Sequence, residues 1–136
     1  MVEVMLSIAL FVGIASTSAL ALHSIDQQTS IDRTTSLITS ALRRAELLSV
    51  SMERDTAWGV KLTTSTLTIF QGLTYDTRVS SADSLVSLPS SLEISGLDEV
   101  RFAKATGLPH TTGSITVSST YETRTITVSS DGTIQE

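Results

Sequence analysis

Residues Val4 to Leu22 read VMLSIALFVGIASTSALAL, 19 consecutive positions without a charge, an amide or a proline. As a helix rising ~1.5 Å per residue the run spans roughly 28 Å, about the hydrocarbon thickness of a bilayer. Its hydroxyls at Ser7, Ser16, Thr17 and Ser18 can bond carbonyls one turn back, so they do not forbid burial in lipid. A helix apolar on every side cannot face water, so it needs lipid or other protein around it. Three readings compete. Ala19-Leu20-Ala21 has the small residues of a signal-peptide cleavage site, but the charge ahead of the run is Glu3 rather than a basic group. A plain membrane anchor fits the length, yet the first basic residue is Arg33, which leaves no positive-inside signal. The third reading starts from Glu3: a carboxylate at the mouth of an apolar helix is costly unless paired, and the α-amino group of a neighbouring subunit is a suitable partner.

After Leu22 the pattern becomes one-sided. Ile31, Thr35, Ile38, Leu42, Ala45, Leu48 and Met52 recur at three- and four-residue steps, with Asp32, Arg33, Arg43, Arg44, Glu46, Glu53 and Arg54 on the other side. No proline interrupts Val2 to Thr56. The simplest expectation is one helix of ~50 residues and ~75 Å, apolar all round in its first half and amphipathic in its second. Gly13 and the Ser16-Thr17-Ser18 cluster are poor helix formers within the first half. Either lipid and packing keep them helical, or they unwind when the chain leaves the bilayer.

From Ala57 the period falls to two. Trp58, Val60 and Leu62, a Thr63-Thr64-Ser65 turn, then Leu67, Ile69 and Phe70 predict a β-hairpin. Gly72 to Pro89 is polar and Ser-rich and reads as a long loop. Short strands are expected around Leu92 and Ile94, around Val100 and Phe102, over Gly113–Ser119 and over Thr123–Ser129, with Asp131-Gly132 as a hairpin signal before Ile134. Six or seven short strands behind one helix give an α+β fold, the helix packed on an antiparallel sheet. Ile38, Leu42, Ala45, Leu48 and Trp58 are the expected helix–sheet core. Residues 1–23 then form an apolar half-helix, 24–56 an amphipathic half-helix and 57–136 a β domain. Ser and Thr make up 43 of 136 residues, which suits strands and loops facing water.

The order of these pieces resembles a known family. Val2-Glu3-Val4-Met5-Leu6-Ser7-Ile8-Ala9-Leu10 is similar to the mature N-terminus of type IV pilins and type II secretion pseudopilins, which begin Phe-Thr-Leu-Ile/Val-Glu before a long apolar helix. Their glutamate is the fifth mature residue and here it is the third, so either two further residues belong at the mature start or Met1 reflects a different choice of start site. Farther on come Trp58-Gly59-Val60, Ile69-Phe70-Gln71-Gly72, Leu88-Pro89, Val100-Arg101-Phe102 with Gly107 after it, Gly113-Ser114-Ile115-Thr116-Val117, and Ile126 to Ile134. That succession resembles the GspH/FimT group, the H-type minor pseudopilins, over essentially the whole chain. The group ends in Gly followed by a basic residue, whereas Thr133 follows Gly132 here.

The resemblance implies a pilin-like fold and a structural subunit of a pilus or pseudopilus. It would polymerise through Val4, Leu6, Ile8, Leu10, Phe11, Ile14, Leu20 and Leu22, with Glu3 setting register. It implies a single-pass inner-membrane protein before assembly and an extracellular or periplasmic filament afterwards. Prepilin peptidase, the pilus assembly machinery and other pilins are the implied partners. The alternative is a monomeric membrane-anchored extracytoplasmic domain that binds a ligand through the 72–89 segment. Some members of the group bind DNA through basic residues; a net charge of -5 and an acidic end at Glu136 give nucleic acid no support here.

No enzymatic constellation emerges. The chain has no cysteine, hence no disulfide and no thiolate ligand or nucleophile. His23 and His110 stand 87 positions apart, and each reads as a solvated or interfacial residue. The serines include no G-x-S-x-G elbow, and no phosphate loop is present. Asp98-Glu99 reads as a solvated turn in preference to a calcium ligand pair. No cofactor or metal is expected, and the absence of Asn excludes N-linked glycosylation.

Overall fold

The computed structural model describes the backbone from Val2 to Glu136 and the side chains of residues 2–7, 10 and 28–136. Helix α1 spans Val2–Val50. Among the described side chains its buried positions are Ile31, Thr34, Thr35, Ile38, Thr39, Ala41, Leu42, Ala45 and Ser49, on one face of the helix. Asp32, Arg33, Ser36, Ser40, Arg43 and Arg44 face out. A stripe of this kind is stable only when covered, because each fully buried Leu or Ile contributes about 1.5–3 kcal/mol. The hydroxyl of Thr35 is satisfied within the helix by the carbonyl of Ile31 at 2.9 Å.

The helix is shorter at its C-terminus than the stripe suggests. It stops at Val50 and not near Thr56; Met52, expected on the buried stripe, lies past the end and is 49% exposed. The cause is local. Met52, Arg54 and Asp55 all adopt left-handed backbone angles, which no α-helix can continue. Two contacts hold the reversal. The Ser49 hydroxyl accepts the backbone N–H of Trp58 at 2.9 Å, and the Trp58 indole N–H reaches the carbonyl of Glu53 at 3.1 Å. A short 3-10 turn at Glu53–Asp55 then carries the chain from the helix to the first strand, with Trp58 6% exposed.

Eight strands follow: β1 (Trp58–Leu62), β2 (Thr66–Gln71), β3 (Ser84–Ser87), β4 (Glu93–Gly96), β5 (Glu99–Phe102), β6 (Gly113–Ser118), β7 (Thr123–Val128) and β8 (Ile134–Gln135). The expected hairpin is β1–β2, with Leu62 opposite Leu67 across the 63–65 turn. The segment expected to be an irregular loop contains β3, which pairs antiparallel with β2. The single sheet expected is two: one in the order β3-β2-β1-β5, the other β4-β6-β7-β8, all pairs antiparallel.

The division between the sheets falls within three residues. Gly96 has a φ of +93°, and a Cβ there would sit 2.2 Å from the carbonyl oxygen of Ser114. Only glycine lets the backbone turn so close to β6. Beyond it, the N–H of Leu97 still bonds Ser114 on β6 at 3.0 Å, while the carbonyl of Asp98 accepts from Leu62 on β1 at 2.7 Å. Helix α1 packs on both sheets. One core joins Ile31, Ile38, Leu42 and Ala45 of the helix to Trp58, Val60, Val100 and Phe102 of the first sheet and Ile115, Val117, Ile126 and Val128 of the second.

Gly59 serves the other face of the first sheet. A Cβ there would meet the Phe70 ring at 2.6 Å and the carbonyl oxygen of Val100 at 2.9 Å. Gly59→Ala is expected to destabilise the domain by about 1–3 kcal/mol through this overpacking. Thermal unfolding followed by circular dichroism reads the effect, and an unchanged midpoint would refute it.

Candidate functional site

The residues singled out by the sequence separate into an assembly set and a core set. Glu3 lies in the first turn of α1, where a carboxylate also complements the helix dipole, and its carbonyl accepts the Ser7 hydroxyl at 2.8 Å. Around it Val2, Val4, Met5, Leu6 and Leu10 are all 62–81% exposed. Contiguous apolar exposure on this scale marks a surface meant for lipid or protein. Of the remaining assembly positions, Ile8, Phe11, Ile14, Leu20 and Leu22 lie outside the described side chains. So do Gly13, Ser16, Thr17 and Ser18, the positions where unwinding is at issue, and His23. Among the described residues no helix is long and apolar enough to cross a membrane; Val4–Leu22 falls mostly outside them.

The core set comes together. Ile38, Leu42 and Ala45 are 0% exposed, Trp58 joins them in the same cluster, and Leu48 packs against it from a half-buried position. The domain thus completes its own core without using any described side chain of the N-terminal turns.

The 72–89 segment, read as a loop free to bind, is fastened to the outer face of the first sheet. Phe70, seated over Gly59, meets Tyr75 edge-on with ring centroids 5.5 Å apart. The Arg78 guanidinium lies 3.8 Å from the centre of the Tyr75 ring, and its Nη1 donates to the Tyr75 carbonyl at 2.8 Å. Arg78 Nε also holds the Asp83 carboxylate at 2.7 Å. Arg101 Nη1 donates to the carbonyl of Leu73, which ties the near end of the strap to β5. An arginine stacked on an aromatic ring and paired with a mostly buried carboxylate forms a rigid clamp. Sequence inspection missed this cluster because its members meet across the sheet and share no period.

The acidic pair is engaged by cations of the same face. Lys61 Nζ lies 2.7 Å from Asp98 and 3.8 Å from Glu99, and Glu99 sits 3.7 Å from Arg101. The hydrogen bond from Lys61 holds the Asp98 carboxyl below its usual value. His110 is exposed, and its backbone N–H bonds the carbonyl of Arg101 at 2.8 Å. Among the described residues no three His, Asp or Glu side chains gather as a metal site would require.

Compared with protein-family models, curated proteins and solved structures, the chain matches none.

Proposed function

We propose that the chain is a pilin-like subunit that polymerises through its N-terminal apolar helix. One observation carries the reading: the described residues of the first turns expose Val2, Val4, Met5, Leu6 and Leu10, while the domain behind them has a finished core. Among the described residues nothing covers this surface. The uncharged run Val4–Leu22 offers it two occupants, first the inner membrane and then the same helices of neighbouring copies. Leaving lipid is offset by burying the same area against protein. A head-to-tail contact that does not close on itself propagates as a filament. Glu3 sets register in this scheme, because a carboxylate entering an apolar bundle needs a cation from the next subunit. Prepilin peptidase and a pilus assembly machinery are the partners this reading requires, with other pilins as co-assembling subunits. The product is an extracellular pilus or a periplasmic pseudopilus.

The competing reading, a monomeric anchored domain binding through residues 72–89, depends on a segment that is already clamped by Tyr75, Arg78 and Asp83. Negative-stain microscopy of the full chain after removal of detergent distinguishes the two. Filaments of uniform width are expected. Dispersed particles under every condition that leaves the domain folded would sink the polymer.

A further inference from the structure

Six of the nine basic residues are satisfied inside the fold. Lys61 pairs with Asp98, Arg78 with Asp83, Arg101 with Glu99, Lys104 with Asp55, and Arg124 with both Asp32 and Glu122. Arg54 donates to the Gln71 side chain at 3.3 Å. The other three, Arg33, Arg43 and Arg44, are exposed on α1 and have no partner among the described residues. Their spacing is ordered. Eleven residues carry Arg44 to within about 20° of Arg33 after three turns, roughly 16 Å along the axis, and Arg43 stands about 80° to the side. Ser36, Ser40 and the 66%-exposed Leu47 complete the same face.

The rest of the molecule has the opposite sign. Residues 51–136 hold ten Asp and Glu against six Lys and Arg. Of these carboxylates Glu53, Asp76 and Glu93 are exposed with no ion pair among the described residues. Beside Arg33 a cavity of about 370 Å³ opens between the helix and the end of β3, lined by Ser30, Thr34, Leu37, Ser87 and Leu88. Its hydroxyls and apolar wall suit a carboxylate on a short aliphatic stem.

We propose that the Arg33–Arg43–Arg44 face of α1 docks on exposed carboxylates of the net-acidic β domain of a second copy. The occupant follows from charge. Two such faces set against each other would put arginines on arginines, so a symmetric pair is disfavoured. A face-to-body contact instead puts guanidinium on carboxylate, and because it joins two different surfaces it repeats from copy to copy. It also relieves the repulsion that stacking subunits of net charge -5 would otherwise build up. The contact deepens the filament reading and rests on it.

The chain has no native cysteine, so Ser40→Cys carries a photo-activated cross-linker at one site in the centre of the face. Full-length protein is irradiated in detergent and after polymerisation, and the products are mapped by mass spectrometry. Links from position 40 to residues 51–136 of another copy are expected. They should fall at least tenfold in a triple Arg33→Glu, Arg43→Glu, Arg44→Glu variant, and also in 1 M salt, where the Debye length is about 3 Å. The triple Arg→Lys variant should retain most of them. The circular dichroism and melting of the Glu variant should match wild type, since these side chains have no partner to lose. Intermolecular links confined to residues 1–50, links to lipid alone, or full linkage in the Glu variant would each overturn the contact. Filaments lacking the 40-to-body link defeat the contact and leave the polymer standing. The link in protein that never forms filaments defeats the polymer and leaves the contact.

Discussion

Replacing Glu3 by leucine should leave the chain in the membrane and cut filament yield by about two orders of magnitude or more. Leucine is more soluble in lipid than glutamate, so insertion is not impaired. The loss appears at assembly. In the proposed bundle the carboxylate neutralises a cation brought by the next subunit, its terminal ammonium in the arrangement the pilin resemblance implies. Removing one member of a buried pair leaves the other charge uncompensated, at a cost of about 3–5 kcal/mol. Each 1.4 kcal/mol is a factor of ten in the association constant. Glu3→Gln should behave like Glu3→Leu, because the amide cannot neutralise an ammonium. Glu3→Asp should recover part of the yield. The measurements are membrane fractionation and pelleted filament mass from equal amounts of protein. Wild-type yield from Glu3→Leu would remove Glu3 from the mechanism.

How much of this was legible in the sequence depends on whether a feature is periodic. The stripe on α1 and the alternating strands Ile115/Val117 and Ile126/Val128 repeat at 3.6 and 2, and the structure buries Ile31, Ile38, Leu42 and Ala45 of the stripe in one core with both strand pairs, leaving Leu48 half-buried and Met52 exposed. The end of the helix is not periodic. It carries neither glycine nor proline, and the left-handed angles at Met52 and Arg54 depend on Ser49 and Glu53 holding Trp58. Strand β3 is hidden for another reason. Ser84-Leu85-Val86-Ser87 has two adjacent apolar residues on opposite faces, and Leu85 stays 68% exposed, so the run lacks the contrast of a half-buried strand. The split into two sheets rests on how close Gly96 comes to Ser114, a contact between distant segments that no window of sequence contains.

The candidate sites follow the same division. Glu3 and the apolar run are visible as letters, since a long uncharged segment limits its own surroundings. The arginine face is half visible. The three arginines can be seen in the sequence, but their freedom is learned only by finding partners for the other six basic groups. The Phe70–Tyr75–Arg78 clamp is invisible until the sheet brings its members together.

The complementary variant is Leu42→Asp, and its expected outcome is loss of the folded domain. Leu42 is 0% exposed and lies where the helix meets the core built from both sheets. Losing its side chain alone costs about 2–5 kcal/mol through lost burial and the cavity left behind. The aspartate adds the penalty of a buried carboxylate without a partner, whether it stays charged or takes up a proton to avoid it. Together these reach the 5–15 kcal/mol that holds a domain of this kind. Circular dichroism of the full chain in detergent should show no cooperative melt, and near-ultraviolet signal from Trp58 should vanish. Leu42→Met, which conserves volume, should cost less than about 1.5 kcal/mol and keep both. In the proposed scheme membrane association should persist in Leu42→Asp, because there Val4–Leu22 supplies the apolar surface for insertion and the stripe around Leu42 does not. Glu3→Leu and Leu42→Asp therefore fail in opposite ways, the first folded but unassembled, the second inserted but unfolded. A Leu42→Asp variant melting within a few degrees of wild type would mean that something other than this stripe holds the helix to the sheets.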